Sequence, residues 1–168
     1  AVVVLEASTG KVLAMVSKPD YDPNKIAENW EKLTAEDSDS TVLLNRATQG
    51  LYPPGSVFKI FTTLEYVHEN PDYDAYSFDC NGSVTSDGSV IHCYNNKRHG
   101  TESLSDSFAN SCNASYASIG LSLDANQFKT LCEGLLFNKD LPVKFESSKS
   151  NFALSDDAGD SIRMETAI

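Results

Sequence analysis

The 168-residue sequence contains no apolar run long enough to cross a membrane and no cluster of basic side chains. A membrane-spanning helix needs about 20 consecutive apolar residues. Lysine and arginine together number 13 against 24 aspartate and glutamate residues, which gives a formal net charge of −11. Because phosphate binding requires clustered lysine and arginine, this balance argues against a nucleic-acid partner. The acidic residues are scattered and indicate a solvated surface.

Cysteine is scarce, and none of the four cysteines belongs to a Cys-x-x-Cys pair. This number is too small for a fold built on disulfides. Cys80 and Cys93 flank a predicted hairpin, so we expect their side chains to approach each other, and the sequence leaves their redox state open. Cys112 and Cys132 are predicted to be free, buried thiols.

Two histidines near these cysteines raise the question of a metal. His92 and His99, together with Cys80 and Cys93, have the side-chain types that bind zinc. Structural zinc sites usually include two cysteines separated by only a few residues, and this chain has no such pair. The sequence therefore predicts neither a metal nor another cofactor, with an extracellular zinc-stabilised module as the alternative.

Hydrophobic residues make up 40% of the chain, which is enough for the folded core of one domain or a large part of one. Residues 1–7 and 11–17 are β-rich and separated by Ser-Thr-Gly, which predicts a hairpin. The run AVVVL at its start is apolar on both faces, so we expect a central strand there. A short helix is predicted at 26–32, and a polar loop at 35–41.

The most informative segment is YPPGSVFK at residues 52–59. Pro53 and Pro54 cannot lie inside a helix, so a helix can begin only at or after Gly55. From Val57 onward the apolar spacing predicts one buried helical stripe. Ser56 and Lys59 are three residues apart and therefore neighbours on the helix surface. A hydroxyl near a helix N-terminus with an amine in reach has the residue types of an activated nucleophile.

A second polar motif lies in ANSCNASYASIG at residues 109–120, where Ser111 and Asn113 form a Ser-x-Asn pattern. Serine and asparagine favour caps and turns over helix interiors. We therefore predict that Ser111-Cys112-Asn113 lies at a junction between two helices. Further along, Asp124 is predicted to cap another helix, and a hairpin is expected around Ser86-Asp87-Gly88.

Together these motifs resemble the transpeptidase domain of class B penicillin-binding proteins, in which Ser-x-x-Lys is followed by a Ser-x-Asn-type motif and Lys-Thr-Gly. The frame NRATQGLYPPGSVFK at residues 45–59 and the opening AVVVLEASTGKVLAMVSKPDYDPN are also similar to that domain. The resemblance therefore covers nearly the whole chain. Neither Lys-Thr-Gly nor Lys-Ser-Gly occurs in the sequence. We expect residues 1–168 to be the N-terminal portion of one transpeptidase domain.

The resemblance implies an α+β fold, with an antiparallel sheet flanked by helices and a helical lobe, incomplete in this chain. It implies a serine-type D-Ala-D-Ala transpeptidase that cross-links peptidoglycan stem peptides and is acylated by β-lactams. Ser56 would be the nucleophile, Lys59 its activating base and Ser111 a proton relay. Asn113 would bind the substrate amide, and Ser56 and Ser111 would also contact the substrate.

The family resemblance also implies a place in the cell. The protein would act at the outer face of the bacterial cytoplasmic membrane, with its anchor outside this chain, alongside other cell-wall synthesis proteins. The alternative on the same fold is a non-catalytic β-lactam sensor or an envelope binding module. A Ser-His-Asp triad leaves Lys59 unexplained, and His68 is expected at the surface.

Overall fold

The computed structural model describes residues 1–35 and 41–168 as an α+β protein. Its strands form three two-stranded antiparallel sheets among these residues. The chain divides into two units: Ala1–Tyr52 with Asp140–Ser150, and Pro53–Lys139 with Asn151–Ile168. Most of the polar loop predicted at 35–41 lies outside the described residues.

The first unit begins with the predicted hairpin. Strands β1 (Val2–Leu5) and β2 (Val12–Val16) pair antiparallel, and Gly10 takes a positive φ of 71° in the connection. Helix α1 (Ile26–Thr34) extends the predicted helix by two residues and carries Trp30 on its exposed surface. Within the unit, the Ser148 backbone N–H donates to the Thr48 carbonyl at 2.9 Å, which ties residues 140–150 to the first segment.

The prediction that AVVVL forms a central, buried strand is wrong for the described residues. Strand β1 pairs with β2 alone, and its side chains stay exposed, Val2 at 57% and Leu5 at 54%. Apolar residues on both faces are compatible with burial, but a central strand also requires a partner on its other edge and layers that cover its faces, which are absent from the described part of the first unit.

The second unit contains four short strands. The predicted hairpin is confirmed as β4 (Ser83–Ser86) and β5 (Ser89–His92), which pair across Asp87 and Gly88 at positive φ. Strands β3 (Phe78–Cys80) and β6 (Gly100–Glu102) pair outside this hairpin. Cys80 ends β3 and Cys93 directly follows β5, so these pairings bring the two cysteines together.

The helices of the second unit are α2 (Lys59–Glu69), α3 (Leu104–Ala109), α4 (Asn113–Ser122), α5 (Ala125–Gly134) and α6 (Asp160–Thr166). The Asp124 side chain caps α5 as predicted by accepting from the Gln127 backbone N–H. Gly120 permits close packing of α4, because a Cβ there would lie 2.5 Å from the Ala167 Cβ. None of the described helices is long and apolar enough to span a membrane.

An aromatic core fixes the start of α2. The Phe58 ring lies 5.2–5.9 Å, centroid to centroid, from four other phenylalanine rings: Phe61, Phe128, Phe137 and Phe152. These separations are typical of favourable aromatic pairs. Because Phe58 directly precedes Lys59, this packing holds the backbone from which the lysine side chain departs.

Candidate active site

The start of α2 places Ser56 and Lys59 on one turn. Gly55 adopts a positive φ of 56°, a conformation that favours glycine, and begins a 3-10 turn (Gly55–Phe58) that leads into the helix. The predicted helix start after Pro54 is therefore confirmed. Ser56 is exposed in this turn, whereas Lys59 is only 1% exposed. An exposed hydroxyl and a buried amine thus lie three residues apart in sequence and next to each other in space.

The Lys59 amine is surrounded by oxygen atoms from both predicted motifs. Its Nζ lies 3.2 Å from Ser56 Oγ, 3.0 Å from Ser111 Oγ, 3.1 Å from the Ser111 carbonyl and 2.6 Å from Asn113 Oδ1. An ammonium has three protons for these four oxygens. Removing one proton leaves a lone pair on Nζ that can accept the hydroxyl proton of Ser56 or Ser111.

The predicted junction carries the second motif to this amine. Helix α3 ends at Ala109 and α4 begins at Asn113, so the Ser-x-Asn residues form the connection. Ser111 has a positive φ of 51°, and the Cys112 backbone N–H donates to the Ser107 carbonyl at 2.9 Å. Asn113 Nδ2 donates to the His92 carbonyl at 3.0 Å, which turns its Oδ1 toward Lys59.

Burial lowers the pKa of Lys59 below its ordinary value, and the nearby Cys112 and Cys93 sulfurs oppose part of this effect. The cause is loss of solvation, which disfavours the charged form of a buried amine. The Nζ atom also lies 5.5 Å from the centroid of the Tyr116 ring. A lowered pKa increases the fraction of neutral amine at physiological pH and suits a general base.

On the other side of the same turn lies a group of thiols, which we call the thiol cluster: Cys80, Cys93, His99 and Cys112. One donor atom from each lies within 4.8 Å of the others. Cys80 Sγ is 3.6 Å from Cys93 Sγ and 3.4 Å from His99 Nδ1, and Cys93 Sγ is 3.7 Å from Cys112 Sγ. All three cysteines are buried free thiols.

The thiols of this cluster differ in their environment. Burial raises the pKa of Cys112 well above its ordinary value. Burial alone would also raise the pKa of Cys80, but hydrogen bonds from the His99 and Gly82 backbone and the His99 ring outweigh it and lower that pKa to about 7. The thiol cluster therefore supplies four soft or borderline donor atoms that could hold a metal ion.

The structure sorts the sequence candidates. Ser56, Lys59, Ser111 and Asn113 are brought together, and the expected proximity of Cys80 and Cys93 is confirmed. His92 is exposed and absent from the thiol cluster, and the His68 side chain is 68% exposed, as expected for a surface residue. Cys112 was missed as a cluster member. The sequence shows Cys112 at the centre of Ser-x-Asn, but it gives no sign of the β3–β6 pairing that brings Cys80 and His99 close to it.

Comparison with known proteins shows which family the chain resembles. The family model described as penicillin binding protein transpeptidase domain matches residues 1–164. The chain is 34% identical over 165 residues to the peptidoglycan D,D-transpeptidase PbpA of Mycolicibacterium smegmatis, covering 84% of this chain and 30% of that protein. A second relative, the peptidoglycan D,D-transpeptidase MrdA of Escherichia coli, is 43% identical over 70 residues, covering 38% of this chain and 11% of MrdA.

Solved structures agree in fold. Penicillin-binding protein A of M. tuberculosis, in its ceftriaxone acyl-enzyme complex, superposes with a TM-score of 0.85 at 27% identity, over 99% of this chain and 39% of that one. The D,D-transpeptidase domain from Eggerthella lenta gives a TM-score of 0.78 at 27% identity, over 89% of this chain and 36% of that one. The chain belongs to the penicillin-binding protein transpeptidase family. It spans about a third of the length of PbpA and of the two solved structures, and the match to MrdA covers 11% of that protein.

Proposed function

We propose that this chain carries the acyl-transfer centre of a serine-type peptidoglycan D,D-transpeptidase. The observation that carries the proposal is the position of Lys59 Nζ, which lies 3.2 Å from Ser56 Oγ and 3.0 Å from Ser111 Oγ. One buried amine thus touches a candidate nucleophile and a candidate proton relay. Family membership supports this assignment, since the named relatives are peptidoglycan D,D-transpeptidases.

In the first step, Ser56 Oγ attacks the carbonyl carbon between two D-alanines of a stem peptide. Its proton passes to neutral Lys59, and the new C–O bond creates a tetrahedral oxyanion. Collapse of this intermediate breaks the C–N bond, and Ser111 passes a proton to the departing D-alanine nitrogen. Because Ser111 Oγ lies on the other side of the same amine, the proton taken from Ser56 can be returned through Lys59.

In the second step, an amine from another stem peptide attacks the acyl-enzyme ester. A peptide bond forms, the ester C–O bond breaks, and the proton of the attacking amine passes through Ser111 and Lys59 to Ser56 Oγ, which restores the free enzyme. Asn113 binds the substrate amide while its Oδ1, 2.6 Å from Nζ, keeps the lysine in place. A β-lactam replaces the stem peptide in the first step only, which leaves Ser56 acylated.

The proposal extends to the organisation and location of the protein. We propose that residues 1–168 form the N-terminal portion of one transpeptidase domain, and the family match over residues 1–164 supports a single domain type along the chain. The protein works at the outer face of the cytoplasmic membrane with cell-wall synthesis partners. We expect residues 1–168 alone to react weakly with penicillin. In the family, one of the hydrogen-bond donors to the oxyanion comes from the strand that carries Lys-Thr-Gly, and this motif does not occur in the sequence.

The test uses the full-length protein that carries this chain. Fluorescent penicillin should label it covalently, and mass spectrometry should map the adduct to the peptide that contains Ser56. Ser56→Ala should abolish the labelling, and the matched control Ser105→Ala should keep it, since Ser105 is exposed on α3 and belongs to neither motif. An adduct on Ser111, or no adduct, would contradict the assignment. Turnover of a stem peptide distinguishes an enzyme from a β-lactam sensor, because a sensor is acylated without forming cross-links.

A further inference from the structure

The thiol cluster has the dimensions of a tetrahedral metal site. Zn–S bonds of about 2.3 Å and Zn–N bonds of about 2.0–2.1 Å separate two sulfurs by about 3.8 Å and a sulfur from a nitrogen by about 3.5 Å. The observed separations are 3.6 and 3.7 Å between sulfurs and 3.4 Å from Cys80 Sγ to His99 Nδ1. All pairs lie within 4.8 Å, so none needs to close by more than about 1.3 Å to reach these ideals.

The surroundings of the cluster suit a bound cation. Backbone N–H groups of Ala114 and Ser115 donate to the sulfurs of Cys93 and Cys112 at 3.5 and 3.4 Å, as expected of groups that orient metal-binding thiolates. The Glu102 carboxylate lies 3.9 Å from His99 Nδ1, and its buried Oε2 has no hydrogen-bond partner among the described residues. With three thiolates deprotonated, Zn²⁺ would offset two of the three negative charges that the cluster brings next to this carboxylate.

A disulfide explains the convergence of three thiols and one imidazole less completely than a metal ion does. Cys93 Sγ lies at nearly the same distance from the sulfurs of Cys80 and Cys112, so a bond to either would leave the third thiol unused beside the imidazole. A disulfide also uses only two of the four converging donor atoms. Three thiols and one imidazole form a ligand set in which zinc uses every member.

We propose that Cys80, Cys93, His99 and Cys112 bind one structural Zn²⁺ ion. Four protein ligands fill a tetrahedral shell and leave no open position for substrate, which distinguishes a structural site from a catalytic one. The ion joins the end of β3, the residue after β5, the residue before β6 and the α3–α4 connection. The ligands of this site therefore come from separate elements that strand pairing brings together, and not from a short Cys-x-x-Cys motif.

The ion also has a positioning role, and this part rests on the proposed function. Cys112 is flanked by Ser111 and Asn113, whose side chains both contact Lys59 Nζ. Zinc bound to Cys112 fixes the centre of that three-residue turn from the side opposite the amine. Ser111 and Asn113 are thereby held at hydrogen-bonding distance from Lys59 through the reaction.

Metal content and thiol number test the site directly. The full-length protein, purified under reducing conditions and incubated with one equivalent of Zn²⁺, should hold one zinc per chain by mass spectrometry of the metal. After removal of zinc by acid and chelator, the denatured chain should titrate as free thiols at all four positions. Cobalt in place of zinc should give the thiolate charge-transfer and tetrahedral ligand-field bands of a three-sulfur site. No stoichiometric metal, or a disulfide within the cluster, would overturn the proposal.

Variants locate the ion. Cys93→Ser and His99→Ala should lose stoichiometric zinc, whereas Cys132→Ser should retain it, since Cys132 is equally buried but lies in the aromatic core. Retention of the full metal content by the ligand variants would contradict the assignment. If those variants fail to fold, the cobalt spectrum of the unaltered protein still decides, because bands of an oxygen- or nitrogen-only site would exclude thiolate ligation.

Chelation tests the positioning role separately. Removing zinc should slow acylation by penicillin, and adding it back should restore the rate, with Ser56 remaining the modified residue. An unchanged rate after complete removal would overturn the positioning role. Stoichiometric zinc in a protein that penicillin never acylates would instead contradict the proposed function and leave the metal site standing.

Discussion

The α3–α4 connection presents two different kinds of chemistry on its two sides. Ser111 and Asn113 turn hard oxygen atoms toward the Lys59 amine, and the nucleophile candidate beside it is exposed. Cys112, between them, turns a sulfur into a buried group of thiols and one imidazole. Alternation along three residues thus separates a candidate proton-transfer centre from a candidate metal centre. One short motif can therefore present polar groups to a reacting amine on one side while its central residue is fixed within a buried cluster on the other.

The largest expected effect on the acylation rate comes from the side of the turn that faces the Lys59 amine. Lys59→Ala should slow acylation by penicillin by about 10²–10⁴, the range of a general base. The aromatic packing of Phe58 should keep the fold, so circular dichroism of the variant should match the parent. Stopped-flow or gel-based labelling gives the rate. A rate within twofold of the parent would assign Lys59 a structural role only.

The pH dependence of acylation should carry the signature of the same amine. Since burial lowers the pKa of Lys59, neutral amine accumulates at lower pH than for a solvated lysine. Below that pKa the rate should rise about tenfold per pH unit, and it should level off above it. Lys59→Ala should remove this rise, whereas Cys132→Ser should keep it. A parent profile without any such rise, or a rise that persists unchanged in Lys59→Ala, would contradict the assignment.

A smaller effect on acylation is expected from Cys112. Its replacement distinguishes the contribution of the Ser-x-Asn motif from that of the thiol cluster. Cys112→Ser leaves the Ser-x-Asn pattern intact, so the motif alone predicts full activity. Loss of a zinc ligand instead predicts reduced metal content and acylation slowed by about 10–100-fold. Metal analysis and labelling of the same preparation measure both. Full metal content and full activity would remove the contrast between the two sides of the turn.

The smallest effect should come from a residue that belongs to neither side. Ser103 caps α3 by accepting from the Asp106 backbone N–H at 3.1 Å. Ser103→Ala should reduce the free energy of unfolding by about 1 kcal/mol, as expected for loss of a helix cap. Denaturant unfolding measures this change. Metal content and the acylation rate should stay at parent values, and a loss of either would indicate that α3 sets the geometry of the turn.

Local sequence patterns predicted the oxygen side well. The proline pair and the apolar spacing after it located the start of α2, and the turn preference of Ser111 and Asn113 located the helix junction. These features depend on neighbours in sequence. That the two motifs meet at Lys59 did not follow from spacing and came only from the family resemblance.

The thiol cluster and the first strand were beyond such patterns for different reasons. His99 meets Cys80 because three residues of β3 pair with three of β6 across an intervening hairpin, and the turn signal between them marks that hairpin and not this pairing. For β1, the apolar pattern was interpreted as central burial, but burial depends on which layers cover a strand. Long-range pairing and layer contacts are tertiary properties that a single run of residues does not encode.

The position of Trp30 decides what an optical unfolding experiment will detect. It is the only tryptophan of the chain, lies on α1 of the first unit and is 53% exposed, whereas the packed phenylalanine rings and Tyr116 belong to the second unit. Tryptophan emission will therefore report the first unit from a solvated position. Near-ultraviolet circular dichroism of the buried rings will report the core beneath Lys59. Different midpoints from the two signals would mark separate transitions, and a single-probe titration would overlook one of them.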